Sequence, residues 1–118
     1  MTRINAGIPP RQLSRQHLIA EHREIVRIPN TIKSGKAKVR DIPAEFTLGK
    51  GHVKFFYDKL KYLHERYEQI YKECIARGYK MTYFGNAFQD LPEHLYGNYK
   101  PGKAAVAMIK ERIRERGG

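Results

Sequence analysis

A single cysteine, Cys74, stands in this sequence, which excludes an intramolecular disulfide framework and suits a reducing cytoplasm. It falls on a predicted helix, where a small buried core residue is the expectation. No run of apolar residues is long enough to span a bilayer. No apolar segment follows the early basic residues in the manner of a secretory signal. The histidines His17, His22, His52, His64 and His94 stand at no spacing that a metal would use. Leu48-Gly49-Lys50-Gly51-His52 lacks the spacing and the hydroxyl of a phosphate-binding loop, and no nucleophile-elbow pattern supports a Ser-His-Asp triad. Repeats and low-complexity tracts are missing, and strand signals are weak throughout. A metal site is therefore not expected.

Acidic residues are also scarce: 12 against 23 Lys and Arg, a net charge of +11 over 118 residues. The imbalance is greatest at the two ends, since residues 1–50 carry 10 basic and 4 acidic side chains and residues 101–118 carry 5 and 2. A basic chain with no membrane segment most often meets nucleic acid, because clustered Lys and Arg release counterions from a phosphate backbone. The length fits one domain over residues 1–118, large enough to bury a core without staples.

What is present reads as helix and loop. Pro9-Pro10 closes an irregular N-terminal arm. A helix is expected from Ser14, a good N-cap type, to about Arg27, with Pro29 kinking or ending it. Residues 30–50 look loop-like. The clearest helix runs from His52 to Arg77, on which Phe56, Leu60, Leu63, Tyr67, Ile70 and Cys74 form a stripe with alternating steps of four and three; Gly78 is the expected C-cap. An ordered but irregular connection over 79–102 leads to a last helix, Lys103 to Arg116, with Ala105, Met108, Ile109 and Ile113 on one side. The predicted fold is all-α, a compact single domain of three main helices with substantial irregular loops. Tyr83, Phe84, Tyr96 and Tyr99, in the irregular connection, are candidates for stacking on bases, with core packing the default.

On the first helix, Gln16, Ala20, Arg23, Glu24 and Arg27 project to one side, while Leu18, Ile19, Ile25 and Val26 lie on the other. His17 sits at the edge, two turns before Glu24. Such a face is either a solvated charge cluster or a site on DNA where arginines hold phosphates and a carboxylate handles charge and protons. The pattern alone leaves both open. Arg112 and Arg116, one turn apart on the last helix, are either surface cations or a phosphate clamp.

Three dense segments add to this: Met1-Thr2-Arg3-Ile4-Asn5, Gln16-His17-Leu18-Ile19-Ala20-Glu21-His22-Arg23-Glu24, and Gly51-His52-Val53-Lys54-Phe55-Phe56-Tyr57-Asp58-Lys59-Leu60. Together with Glu73-Cys74-Ile75-Ala76-Arg77-Gly78 and Gly97-Asn98-Tyr99-Lys100-Pro101, in order along nearly the whole chain, they resemble the pyrimidine-dimer DNA glycosylases with AP-lyase activity, the phage-type endonuclease V family. The resemblance implies a compact all-α fold without metal or cofactor. It implies excision of one base of an ultraviolet-induced cyclobutane dimer in double-stranded DNA, then nicking at the abasic site. By the same resemblance Met1 is removed and the α-amine of Thr2 is the nucleophile, Glu24 is the catalytic carboxylate, and Arg3, Arg23 and Arg27, with Gln16 and His17 nearby, hold the strand. Arg112 and Arg116 match phosphate contacts. A monomer in the cytoplasm or at the nucleoid is expected.

Two departures stand out. Members of the family carry an aromatic tail beyond the last helix, whereas this sequence stops at Arg114-Glu115-Arg116-Gly117-Gly118 and has no Trp. Chemistry at abasic sites is thus a firmer expectation than strict dimer preference. Position 22 is His where the family has Tyr, a change expected at the periphery of the site. The alternatives are a non-catalytic DNA-binding module of the same descent and a basic structural protein.

Overall fold

The computed structural model describes residues 2–116. Among them the regular structure is helical, with one isolated bridge between Lys59 and Tyr96. The main helices are α1 (Arg15–Glu24), α2 (Arg27–Lys33), α3 (His52–Phe55), α4 (Leu60–Ala76) and α5 (Lys103–Glu115), with short 3-10 turns at Pro10–Gln12, Phe56–Asp58, Gly85–Phe88 and Glu93–Leu95. The all-α expectation holds.

Two expected helices are each divided. The first stops at Glu24 and resumes at Arg27. Pro29 explains the break: its ring would collide with the carbonyl four residues earlier, that of Ile25, and it has no N–H to donate there. In the first turn of a new helix the missing N–H costs nothing, so the chain turns at Ile25–Val26 and α2 runs on to Lys33, past the expected helix end. The second divides at Lys59, whose backbone leaves the helical region (φ −124°, ψ 40°). A distant segment completes the restart, because the carbonyl of Gly97 accepts the N–H groups of Lys61 and Tyr62 at 3.0 and 3.3 Å. No local pattern around Lys59 announces this. The other end of α4 is locally encoded. Gly78 (φ +82°) lets Tyr79 N–H reach the carbonyl of Cys74 and its own N–H that of Ile75, satisfying two terminal carbonyls.

The stripe of α4 is the centre of the core. Phe56, Leu60, Leu63, Tyr67, Ile70 and Cys74 are all fully buried, each worth roughly 1.5–3 kcal/mol for a large apolar side chain. On α5, Ala105 and Ile109 are buried and Ile113 half-buried, but Met108 is exposed; the helix needs only its i, i+4 row against the core.

The N-terminal arm is less expected. Ile4, Ala6 and Ile8 are buried in the centre of the molecule, although the arm forms no regular element. Its backbone is held by side chains instead. Glu24 accepts Arg3 N–H, His52 accepts Ile4 N–H, the Tyr62 hydroxyl accepts Gly7 N–H, and Arg66 donates to the carbonyl of Ile8. Buried backbone polar groups require such partners.

Candidate active site

The arm, α1 and α5 enclose a concavity of about 260 Å³ lined by Arg3, Asn5, His17, Ala20, Glu21, Glu24, Arg112, Ile113 and Arg116. Ser14 stands in the N-cap position of α1, although its side chain makes no capping hydrogen bond; along the helix His17, Ala20, Glu21 and Glu24, at steps of three and four, share the wall. α5 supplies Arg112 and Ile113, and Arg116 follows as its C-cap residue.

Glu24 links the arm to α1. Its Oε1 accepts the Arg3 backbone N–H at 3.0 Å. Its Oε2 lies 3.5 Å from Nη2 of Arg23, a side chain 61% exposed, and so the pair is worth little. The Arg3 nitrogen is three bonds from the Thr2 α-nitrogen, a path of about 4.3 Å, which keeps that nitrogen within roughly 7 Å of Glu24 Oε1.

Glu21 is occupied quite differently. It is fully buried, accepts two hydrogen bonds from Arg66 (Nε to Oε2 at 2.8 Å, Nη2 to Oε1 at 3.0 Å) and one from Asn5 Nδ2 at 2.9 Å. Burial works against the Arg66 charge, but the charge and hydrogen bonds of Glu21 outweigh it and hold the guanidinium above its ordinary value. Asn5 Oδ1 in turn accepts from Arg112 at 3.4 Å. Glu21 is thus neutralised from behind, which leaves Glu24 as the carboxylate of the pocket without a buried cationic partner.

The other side of the pocket is cationic. Arg112 is half-buried, and burial with the neighbouring charges of Arg3 and Arg116 pushes its guanidinium down from its ordinary value, though an arginine stays charged at neutral pH. Crowding three arginines around one opening is costly in an empty site and favourable around an anion. His17 responds to the same field: burial and then the charges of Arg3, Arg112 and Arg116 lower its pKa against the opposing effect of Glu21, which favours the neutral imidazole. Its Nε2 is buried with no hydrogen-bond partner among the described residues.

The remaining sequence candidates lie outside the lining. Gln16 and Arg23 border a shallower groove with Ser14, Arg15 and Ile19, and share Ala20 with the pocket; Gln16 Nε2 reaches the carbonyl of Arg116 at 3.4 Å. Arg27 is exposed at the start of α2, past the break in the helix. Tyr83, Phe84 and Tyr96 are exposed but line no part of the pocket, and Tyr99 packs on Phe55, Phe56 and Tyr62. His22 is not peripheral to the site. It is buried between α1 and α4, where the Tyr67 hydroxyl accepts Phe84 N–H at 2.7 Å and shares a hydrogen bond with His22 Nε2 at 3.0 Å.

Asn5, Glu21, Arg66 and His52 were not singled out from the sequence. Arg66 carried a signal: it flanks the apolar stripe of α4, three residues after Leu63 and four before Ile70, on a side where a charge is retained only with a partner. No group of three or more His, Cys, Asp or Glu among the described residues is placed to hold a metal ion, and no helix among them is long and apolar enough to cross a membrane.

The family model described as pyrimidine dimer DNA glycosylase matches residues 1–84. That span takes in the arm, α1 to α4 and both pocket carboxylates. Arg112 of α5 and Arg116 at its C-cap lie beyond it.

Proposed function

The chain belongs to the pyrimidine dimer DNA glycosylase family, and on that premise we propose that it excises a base at pyrimidine dimers in duplex DNA and cleaves the abasic strand by β-elimination, with the α-amine of Thr2 as nucleophile once Met1 has been removed. The observation that carries the reading is the hydrogen bond from Arg3 N–H to Glu24. It brings the start of the chain to the one pocket carboxylate that no buried cation neutralises, beneath three arginines.

The chemistry follows from that placement. An α-amino group has a reference pKa of about 7.7–8.0 against about 10.4 for lysine, so a useful fraction is neutral at physiological pH without deep burial. The neutral amine attacks C1′ of the damaged nucleotide, the glycosidic bond breaks, and the base leaves with its electron pair and acquires a proton. Loss of the amine proton and opening of the sugar ring give a protonated Schiff base between Thr2 and the deoxyribose. This cation acidifies the C2′ protons. Removal of one expels the 3′ phosphate, and water then hydrolyses the conjugated imine to free the amine. Glu24 is suited to stabilise the cationic sugar and to carry protons in ring opening and elimination. Arg3, Arg112 and Arg116 are suited to bind the phosphates that flank the sugar, as bidentate donors, and Arg23, Gln16 and Arg27 to extend that contact along the strand. His17, neutral, offers a hydrogen bond at the pocket wall. A nucleotide has to leave the stack for the amine to reach C1′, at a cost of a few kcal/mol, which phosphate contacts and local bending of the duplex offset.

Incubation of methionine-processed protein with an abasic-site duplex and borohydride tests this reading. A covalent protein–DNA adduct is expected, and blocking the N-terminal amine should abolish it. Binding without any adduct would overturn the catalytic assignment and leave a DNA-binding module.

A further inference from the structure

Two consecutive backbone N–H groups of the arm are gripped by side chains from different parts of the chain. Glu24 takes that of Arg3, and His52 Nε2 takes that of Ile4 at 3.0 Å. The second grip requires a defined state of the ring. A backbone N–H can only donate, so Nε2 must present its lone pair. On the other side Nδ1 lies 2.9 Å from the carbonyl of Thr47, which can only accept, so Nδ1 must carry the proton. The ring is 3% exposed and is met edge-on by Phe46 and Phe56, with centroids 5.5 and 5.4 Å away. Gly51 sets up this geometry. At φ +90° it turns the chain so that the first residue of α3 faces back to Thr47, and a Cβ at position 51 would come within 3.3 Å of Thr47 Cγ2. The charged groups that act on the ring are Arg112 of α5, Arg3 of the arm and Glu21 of α1. Burial, the largest influence, holds its pKa below the ordinary imidazole value, against the Thr47 hydrogen bond.

We propose that His52 is a positioning residue for the nucleophile: its Nδ1-protonated neutral ring fixes Ile4 and, jointly with Glu24 on Arg3, determines where the Thr2 amine sits. The inference rests on the amine being the nucleophile. Ile4 is two residues from Thr2 and fully buried, so the His52 and Glu24 contacts leave the intervening backbone little freedom. A protonated ring would aim an N–H at the N–H of Ile4, and the grip would be lost.

The test compares two variants that divide the functions of the ring. His52→Asn keeps a donor for Thr47 and loses the acceptor for Ile4. His52→Gln places an amide oxygen near the Nε2 position and restores that acceptor. Borohydride trapping on an abasic duplex is measured in single turnover at saturating protein, beside the dissociation constant for a duplex with an uncleavable abasic analogue. Displacement of a nucleophile by about 1 Å costs on the order of 100-fold. His52→Asn should therefore trap at least about tenfold more slowly, with binding changed less than about threefold, and His52→Gln should recover most of the rate. The Ile4 amide should lose hydrogen-exchange protection in His52→Asn, and in the wild type as pH falls through the ring's titration. Trapping by His52→Asn at the wild-type rate would overturn the proposal. So would equal losses in both variants that track losses in binding and thermal midpoint, since these would mark a merely structural residue. If the wild type forms no adduct, the amine reading fails by itself. The grip is then judged on Ile4 exchange, where unchanged protection in His52→Asn would refute it.

Discussion

Replacing Arg66 by methionine tests the buried network that supports the N-terminal arm. The substitution keeps most of the side chain's apolar length and removes its charge. Glu21 would lose two of its three hydrogen bonds, retaining only that from Asn5, and the carbonyl of Ile8 would lose its donor. Because the side chains of Glu21 and Arg66 are 0% and 3% exposed, water cannot replace the lost partner without opening the core. Breaking such a buried pair from one side costs about 3–5 kcal/mol, far more than the net worth of the pair, because it strands a charge. With an unfolding entropy of about 2.1 cal/mol/K per residue over 118 residues, that loss lowers the melting temperature by roughly 12–20 °C. Adding Glu21→Gln removes the stranded charge while keeping an acceptor for Asn5, so Arg66→Met/Glu21→Gln should be more stable than Arg66→Met alone, by at least about 1 kcal/mol. The assay is reversible denaturant unfolding of the three proteins, with two-state behaviour checked by two probes. A loss below about 1 kcal/mol in Arg66→Met, the range of surface pairs, would refute the account. A double variant no more stable than the single would refute it equally.

Four further outcomes are expected. Glu24→Gln should slow base excision and elimination by roughly 100-fold or more, the range of a lost proton-transfer group, while binding of an uncleavable duplex is largely retained; unchanged rates of both steps would remove Glu24 from the mechanism. Arg112→Ala should weaken binding across sequences and reduce the steepness of its salt dependence by about one unit, measured by fluorescence anisotropy across a salt series; an unaltered slope would exclude a phosphate contact. Adduct formation should accelerate as pH rises through the α-amine value of about 7.7–8.0, and a rate flat from pH 6.5 to 8.5 would argue against a free amine. Burial lowers the pKa of His17, His22 and His52 in the folded chain, so the stability they contribute is complete above the unfolded value of about 6.5 and is lost as pH falls through their folded values; equal denaturation midpoints at pH 7.5 and 5.5 would contradict this.

The fold was legible where one element carries its own pattern. The α4 stripe, the Gly78 cap and the helical class are local properties, and each appears where periodicity and turn chemistry put it. The errors arise where a distant group decides. The division at Lys59 depends on the Gly97 carbonyl, 38 residues or so along the chain, and no window around Lys59 contains that information. The break before α2 was readable in principle, because Pro29 acts on the carbonyl of Ile25 rather than on its own neighbours; α1 stops at Glu24, just before that carbonyl, and not at the proline. The burial of Ile4, Ala6 and Ile8 had no periodic signature, since side chains from three separate helices, α1, α3 and α4, hold that backbone.

The site shows the same division between local and distant causes. The sequence puts Glu24 among arginines on a helix face, and at that level Glu21 is merely another acid one turn earlier. The structure separates them by what stands behind each. Arg66, 45 residues away, neutralises Glu21 within the core, whereas Glu24 accepts a neutral backbone N–H from the arm and a long contact from an exposed arginine. Two carboxylates three residues apart thereby stand in different settings: Glu21 anchors Asn5, and Glu24 is left free of a buried cationic partner, as its proposed role beside a cationic sugar requires. The arm needs both, because the nucleophile proposed here lies on irregular chain, and such chain is positioned only by the groups that grip it. Loss of activity on substitution of Glu21 or Arg66 would therefore report a misplaced amine, and it should appear as slow trapping at saturating DNA rather than as weak binding.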